Sequence, residues 1–350
     1  MSILEDHTNP APADVVTTLV LINTATSTIS TVVKGADFYS SPSFSPDGKH
    51  LAWVQWNHPN MPWEVSQVYI TDIAVTETPE SGAFAVSGSP SFVSGSNESS
   101  VSQPLWASNS SLVFLNDVHG FFNPWVYDLV TSSAHPILPV PTAADFTGPA
   151  WQLGGRQYGV LNQTTILATP IQDSNTVLTL IDIATGEMRP IASPYVNISR
   201  LRVISPTEAV FIGVQDTNSS ALIKIILKYS VGGGGSVSAS FSTLKESSTI
   251  ASTVPKDLIS ATKPITLFEG PNKPIYALYT PPKNPDYISD GKEKPPCIVN
   301  VHGGPTSRAA PGLNWNIQYF TSRGWALYVR LILFRADPLL WRLNLTMAMK

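Results

Sequence analysis

A repeated pattern of short strands in the first two-thirds of the chain limits the available folds more than any other feature. Each copy begins with a proline, has an aromatic residue two positions later, passes through a polar turn and enters an apolar strand. The copies are Pro42–Trp53, Pro104–Phe114 and Pro149–Val160, with a weaker fourth at residues 201–212. The shared offset predicts that Phe44, Trp106 and Trp151 are buried at equivalent places.

A second strand follows each of the first three copies and ends in an aspartate and an aliphatic residue. These strands are Val68–Ile73, Trp125–Leu129 and Thr179–Ile183. The aspartates are 56 and 54 residues apart, which is the length of a four-stranded unit. Short strands, turn residues and this spacing predict propeller blades, about four or five in number. An irregular β-sandwich is the alternative.

The charge content is low and excludes some partners. Charged residues make up 13% of the chain, the net charge is −4 and the pI is about 5.8. Nucleic-acid binders usually carry a basic face, so we expect no nucleic-acid partner. Hydrophobic residues make up 43%, enough for a core, and the 30 prolines favour turns and edge strands over long helices.

The sequence predicts neither a membrane span nor a secretory leader. Met1–Asn9 has no apolar run, which favours a cytoplasmic location. Val15–Val33 is uncharged and long enough to span a bilayer, but its threonines, valines and serines favour two strands around a turn. The oligomeric state is left open.

No residue pattern indicates a cofactor or a metal. Cys297 is the only cysteine, so the chain has no multi-cysteine site and no intrachain disulfide. We expect its thiol to be buried in a strand and inert. Neither a His-Glu-x-x-His motif nor another ligand spacing occurs, so no metal and no cofactor is expected.

The pattern changes after the glycine run Gly232–Gly235, which fits a flexible loop or an inter-domain spacer. Cys297–Val301 is a continuously apolar run, as expected for a strand buried on both faces of a parallel sheet. A helix at Leu313–Arg323 and a strand at Trp325–Val329 follow. A strand, loop, helix and strand in this order predict a βαβ unit.

A glycine-rich loop joins the first strand of this unit to the helix. It contains His302, Gly303, Gly304 and Pro305. Open α/β sheets bind ligands at the carboxyl ends of their strands, and glycines there let backbone N–H groups approach a substrate. A loop of this type helps to build the oxyanion hole of α/β-hydrolases. A simple tight turn is the alternative.

Propeller repeats followed by this loop resemble the prolyl oligopeptidase family of serine peptidases, in particular its dipeptidyl-peptidase V and acylaminoacyl-peptidase branch. The resemblance extends from about residue 5 to residue 329. It is specific at Trp53–Glu64, Val299–Ser307 and Arg323–Ala326. It implies a hydrolase that cleaves short peptides through an acyl-enzyme, with a propeller that restricts access to the site.

The sequence departs from the family pattern in its last part. No Gly-x-Ser-x-Gly occurs, and His302 is the only histidine after His135, so we identify no catalytic serine, aspartate or histidine. We expect a fragment truncated at both ends that is inactive as given. Its predicted parts are an incomplete propeller (residues 1–250), the N-terminal portion of an α/β-hydrolase domain (251–330) and an aberrant tail (331–350). A non-catalytic propeller used as a binding scaffold is the alternative function.

Overall fold

The structure is a computed structural model, and about half of the residues that it describes are in β-strands (49%), with few in helices (6%). It describes residues 1–75, 84–86, 88–148, 151, 154–172, 174–229, 237–268, 274–301 and 308–330. For residues 74, 75, 84–86, 274 and 330 it describes the backbone only. The chain is mainly β, as the sequence predicts.

The chain begins with a three-stranded antiparallel sheet. Its elements are β1 (Ser2–Asp6), a 3-10 turn (Pro12–Asp14), β2 (Val16–Ile22) and β3 (Ile29–Val33). The prediction of two strands around a turn in this region is confirmed, since β2 pairs with β3. In the described part of the chain, no helix has the length and apolar character needed to cross a bilayer.

Four antiparallel sheets follow, numbered here blade 1 to blade 4. Blade 1 has β4 (Phe38–Phe44), β5 (His50–Trp56), β6 (Gln67–Val75), β7 (Phe84–Val86) and β8 (Ser91–Ser94). Blade 2 has β9 (Val101–Trp106), β10 (Ser111–Asn116), β11 (Asn123–Asp128) and β12 (Ser133–Pro136). Within each blade the strands pair in chain order, except that β7 and β8 both pair with β6.

Blades 3 and 4 repeat this order. Blade 3 has β13 (Tyr158–Asn162), β14 (Thr165–Ala168), a small hairpin of β15 (Ile171–Gln172) and β16 (Asn175–Thr176), then β17 (Thr179–Asp182) and β18 (Met188–Pro190). Blade 4 has β19 (Asn197–Ser205), β20 (Glu208–Val214), β21 (Ala221–Tyr229) and β22 (Val237–Glu246). Together with the first sheet, the blades form the partial propeller that the repeats predict.

The prediction that three aromatic residues occupy equivalent buried places is wrong for two of them. Phe44 and Trp106 share a register, but Phe44 is 39% exposed and Trp106 only 7%. Trp106 is covered because its ring stacks on His50 of blade 1. Trp151 is 50% exposed. It precedes the first strand of blade 3, whereas Phe44 and Trp106 lie in the first strands of their blades, so the third copy of the repeat is offset by one strand from the other two.

The hydrophobic cores lie between consecutive sheets. The side chains of β5 alternate, so that Leu51 and Trp53 pack toward the first sheet while Ala52 and Val54 pack toward blade 2. The same alternation occurs in β10 and β14. Because a strand places successive side chains on opposite faces, each of these three strands contributes to two cores.

Two of the repeated aspartates close the turns after the third strands. Asp128 Oδ1 accepts a hydrogen bond from Thr131 N at 2.8 Å, and Asp182 Oδ1 accepts one from Thr185 N at 2.8 Å. These backbone donors lower the pKa of both carboxyls. The third, Asp72, instead accepts a hydrogen bond from His50 Nδ1 at 2.7 Å.

The glycine run does not separate two domains. Gly232–Gly235 lies outside the described residues, but Tyr229 and Val237 on either side of it are paired in register in blade 4. The segment between them therefore connects two paired strands of one blade. Of the two predicted possibilities, a flexible loop and an inter-domain spacer, the spacer is wrong.

A mixed four-stranded sheet follows the propeller. After α1 (Ile250–Thr253) and a 3-10 turn (Lys256–Leu258) come β23 (Lys263–Phe268), β24 (Pro274–Thr280), β25 (Cys297–Val301), α2 (Trp315–Thr321) and β26 (Ala326–Arg330). The strand order is β23-β24-β26-β25. Strands β25 and β26 are parallel with α2 between them in the chain, so the predicted βαβ order is confirmed.

Strand β25 is more exposed than the sequence predicts. Among the described strands it lies at the edge of the sheet and pairs only with β26, and Val299 and Val301 are 64% and 56% exposed. Cys297 is exposed as well, so the expectation of a buried thiol is wrong. The apolar run does match a strand, but no described element packs over its faces.

The packing between blades makes a first prediction. Phe114 is fully buried in the core between blades 1 and 2, so Phe114→Ala should lower the free energy of unfolding by about 3–5 kcal/mol. Urea denaturation followed by tryptophan fluorescence measures this, and Val130→Ala, at a residue 82% exposed, is the matched control. Equal midpoints for the two variants would contradict the assigned packing.

Candidate functional site

The predicted oxyanion-side loop lies outside the described residues. His302, Gly303, Gly304 and Pro305 fall in residues 302–307, between the end of β25 at Val301 and the described segment that begins at Arg308. The structure therefore places the two ends of the loop. One end is the carboxyl end of a parallel strand, the edge at which open α/β sheets bind ligands.

Helix α2, which follows the loop, is held at its N-terminus and at its middle residue. Asn314 caps the helix, since its Oδ1 accepts hydrogen bonds from Asn316 N at 2.9 Å and from Ile317 N at 3.4 Å. Gln318 is 6% exposed and bonds both backbone groups of Ser260, at 2.8 and 2.9 Å. The helix is thereby fixed to the segment that precedes β23.

Arg308 joins the segment after the loop to the propeller. Its Nη1 donates to Ser174 O at 2.9 Å and its Nη2 donates to Asn197 Oδ1 at 3.1 Å. Five residues later, Leu313 N donates to Gln215 O at 2.9 Å. The segment therefore contacts blade 3 through the β15–β16 turn and blade 4 at the start of β19 and just after β20.

Asp145 provides a negative charge near Arg308. Its Oδ1 accepts a hydrogen bond from Phe122 N at 3.1 Å. Burial raises the pKa of the Asp145 carboxyl to about 6, and the nearby charge of Asp117 acts in the same direction, whereas Arg308 lowers it. Burial also lowers the pKa of Arg308 to about 10, which leaves the guanidinium charged at neutral pH.

A cavity of about 120 Å³ lies among the first strands of blades 1, 2 and 4. Ser41 of β4, Gln103 of β9 and Arg200 of β19 line it, together with Gln157 just before β13. Its volume is close to that of engineered cavities of about 150 Å³ that admit a benzene-sized ligand. Its lining is mostly polar, so it favours a ligand with hydrogen-bonding groups.

Sequence reasoning identified none of the residues at this junction. Arg308, Asp145 and Arg200 belong to no motif, and their neighbours come from distant parts of the chain. The only sequence signal was that Arg308 lies three residues after the glycine-rich loop. Among the residues that the structure describes, no group of three or more His, Cys, Asp or Glu could hold a metal ion.

Known proteins resemble the chain in structure. No family model matches the sequence, and no curated protein matches it. A puromycin-hydrolyzing peptidase from Mycobacterium tuberculosis is 31% identical with a TM-score of 0.71, and the match covers 86% of this chain and 43% of that one. A puromycin hydrolase is 27% identical with a TM-score of 0.77, and the match covers 94% and 47%.

A third structure supports the fold alone. Prolyl oligopeptidase B from Galerina marginata is 12% identical with a TM-score of 0.66, over 91% of this chain and 41% of that one. Together these matches are consistent with a fragment of the prolyl oligopeptidase family, which the sequence resembles. The chain spans 41–47% of the length of these structures.

The raised pKa of Asp145 predicts a pH-dependent stability. A carboxyl whose pKa rises from 3.8 to about 6 on folding contributes stability below pH 4 that is lost as the pH rises through 6. Asp145→Asn removes this dependence. We therefore compare the free energy of unfolding of this variant with that of the unsubstituted chain at each pH. The value for the variant minus the value for the unsubstituted chain should rise by on the order of 2 kcal/mol between pH 4 and pH 8.

Denaturant titrations at pH 4, 6 and 8 measure this difference. Asp14→Asn is the control, because Asp14 is exposed. A constant difference between Asp145→Asn and the unsubstituted chain over this range would show that the Asp145 carboxyl is not buried in its neutral form at low pH.

The contacts of Arg308 make a further prediction. Arg308→Ala removes two hydrogen bonds to the propeller and leaves Asp145 without its cation, so we expect faster proteolytic cleavage within residues 251–330. Limited proteolysis with mass-spectrometric mapping measures the rate. Lys292→Ala, at a side chain 85% exposed, is the control and should cleave at the unsubstituted rate. Equal rates for both variants would exclude Arg308 as a junction residue.

Proposed function

We propose that this chain is part of a serine-type peptidase that cleaves short peptides, of the dipeptidyl or acylaminoacyl type. The observation that carries the proposal is the parallel pair β25–β26, whose connecting segment is bound to the propeller through Arg308. In this proposal the glycine-rich loop, which ends just before Arg308 in the chain, would lie beside the blades. A puromycin hydrolase variant complexed with PGG supports a peptide as the substrate class.

Two domains account for this function. We propose residues 1–250 as an incomplete propeller and residues 251–330 as the N-terminal portion of an α/β-hydrolase domain, with residues 331–350 as a non-family tail. The last propeller strand ends at Glu246 and the first strand of the mixed sheet begins at Lys263, which supports the boundary. In this division the propeller admits short peptides and excludes larger ones.

The proposed chemistry divides between the loop and a nucleophile. Backbone N–H groups near Gly303 and Gly304 would stabilise the oxyanion of an acyl-transfer step, a contribution of about 10² to 10³ in rate for each donor. The serine, its histidine base and the orienting carboxylate are not identified in this sequence. An oxyanion site without a nucleophile forms no acyl-enzyme, so the chain as given is inactive in this proposal.

A binding scaffold is the second candidate. The polar cavity among β4, β9 and β19 favours it, because the cavity is built from propeller residues and needs no catalytic group. A scaffold of this kind would bind a peptide and leave it intact.

Activity and labelling assays test the proposal. We expect the purified chain to give no turnover of dipeptidyl or acyl-aminoacyl chromogenic substrates and no labelling by a fluorophosphonate probe. Turnover that this probe blocks, or stoichiometric labelling of a serine, would contradict the assigned inactivity. Heat-denatured chain is the control for non-specific labelling.

The transcript distinguishes the peptidase from the scaffold. Sequencing across the codons for Tyr328–Leu333 should reveal a longer product with a Gly-x-Ser-x-Gly, and that product should hydrolyse the same substrates. A longer product that carries this motif but hydrolyses none of them would favour the scaffold.

A further inference from the structure

The cavity among the first strands of blades 1, 2 and 4 has an unusual backbone. Ser41, Gln103 and Arg200 have φ angles of +52°, +53° and +55°. Each lies at a break in the pairing register of the first strand of its blade. Left-handed backbone is strained for residues other than glycine, and bulges of this kind often direct side chains at functional sites. Three such positions line one cavity.

A cluster of three arginines lies beside this cavity. Arg200 lines it, and the charges of Arg156 and Arg200 lower the pKa of Arg202, after the larger effect of burial. Arg202 donates hydrogen bonds to the carbonyl oxygens of Leu201 and Gly154. Within the described ranges, none of the three arginines forms an ion pair. In a chain of net charge −4, this is a positive site without a counter-ion.

The cavity also has a hydrogen-bond acceptor without a partner. The Oε1 of Gln157 is buried and, among the described residues, accepts no hydrogen bond. Gln103 is already engaged, since its Nε2 donates to Thr147 Oγ1 at 2.7 Å and its Oε1 accepts from Gln157 N at 3.2 Å. An N–H group from a ligand would satisfy the Gln157 oxygen.

The cavity lies near the junction with the mixed sheet. Asn197, which bonds Arg308, is the first residue of β19, and Arg200 is three residues further along the same strand. At about 3.3 Å per residue, this separation is about 10 Å. An extended peptide of about three residues spans that distance.

We propose that Arg200, supported by Arg156 and Arg202, binds the free C-terminal carboxylate of a short peptide whose backbone N–H donates to Gln157 Oε1. A guanidinium binds a carboxylate through two parallel hydrogen bonds, which makes Arg200 selective for this group. This inference rests on the proposed function, because it takes a short peptide as the ligand and adds how its end is recognised.

Calorimetric titration of the full chain with two forms of one tripeptide tests the proposal. The peptide Ala-Ala-Phe is compared with its C-terminal amide, and a third peptide, Ala-Asp-Phe amide, carries its carboxylate on a side chain. We expect the free acid to bind about 10- to 100-fold more tightly than either amide. Arg200→Gln should remove this preference, and Arg200→Lys should retain a smaller one.

The controls separate the inference from the function on which it rests. Arg323→Gln changes an exposed arginine on Tyr319 of α2 and should leave the preference intact. Equal binding of acid and amide by the unsubstituted chain would overturn the carboxylate site and leave peptide binding standing. Equal binding of the free acid and Ala-Asp-Phe amide would overturn its specificity for the peptide terminus. Binding of no peptide would overturn both this inference and the peptide-binding part of the proposed function.

Discussion

Burial of both faces of the central strands in blades 1 to 3 is the constraint on which the propeller part of the chain depends. In β10, Leu112 and Phe114 pack toward blade 1, whereas Val113 and Leu115 pack toward blade 3. No blade can complete its core alone, because half of its apolar side chains need the next sheet. Each blade therefore contacts the blades that precede and follow it in the chain. The free energy of unfolding is then approximately the sum of the stability of each blade and the interactions between neighbouring blades.

The sequence predicts what depends on local pattern. The alternation of apolar residues predicted β5 and β10, and the repeated aspartates predicted the ends of β11 and β17. Both signals depend on only a few neighbouring residues, so the sequence alone contains them. Trp151 shows the limit: a proline and an aromatic residue at the right spacing do not determine which strand of a blade they enter. Cys297–Val301 shows another, since an apolar run predicts a strand but not what packs on it.

The junction between the propeller and the mixed sheet depends on contacts that no local pattern encodes. Arg308 bonds residues that are 134 and 111 positions away, and the cavity brings together residues from β4 to β19. These side chains have ordinary sequence neighbours. Their properties follow from their positions in the fold. Burial raises the pKa of Asp145, and among the described residues no ion pair neutralises the three arginines beside the cavity.

The pairing of Tyr229 with Val237 has a consequence for how the chain tolerates changes in length. The residues on either side of residues 230–236 are paired in register, so the pairing of the two strands does not depend on how many residues connect them. Doubling the length of such a connection costs only about 0.6 kcal/mol of closure entropy. This position in blade 4 is therefore suited to accept an inserted tag or reporter peptide while the core between blades 3 and 4 is preserved.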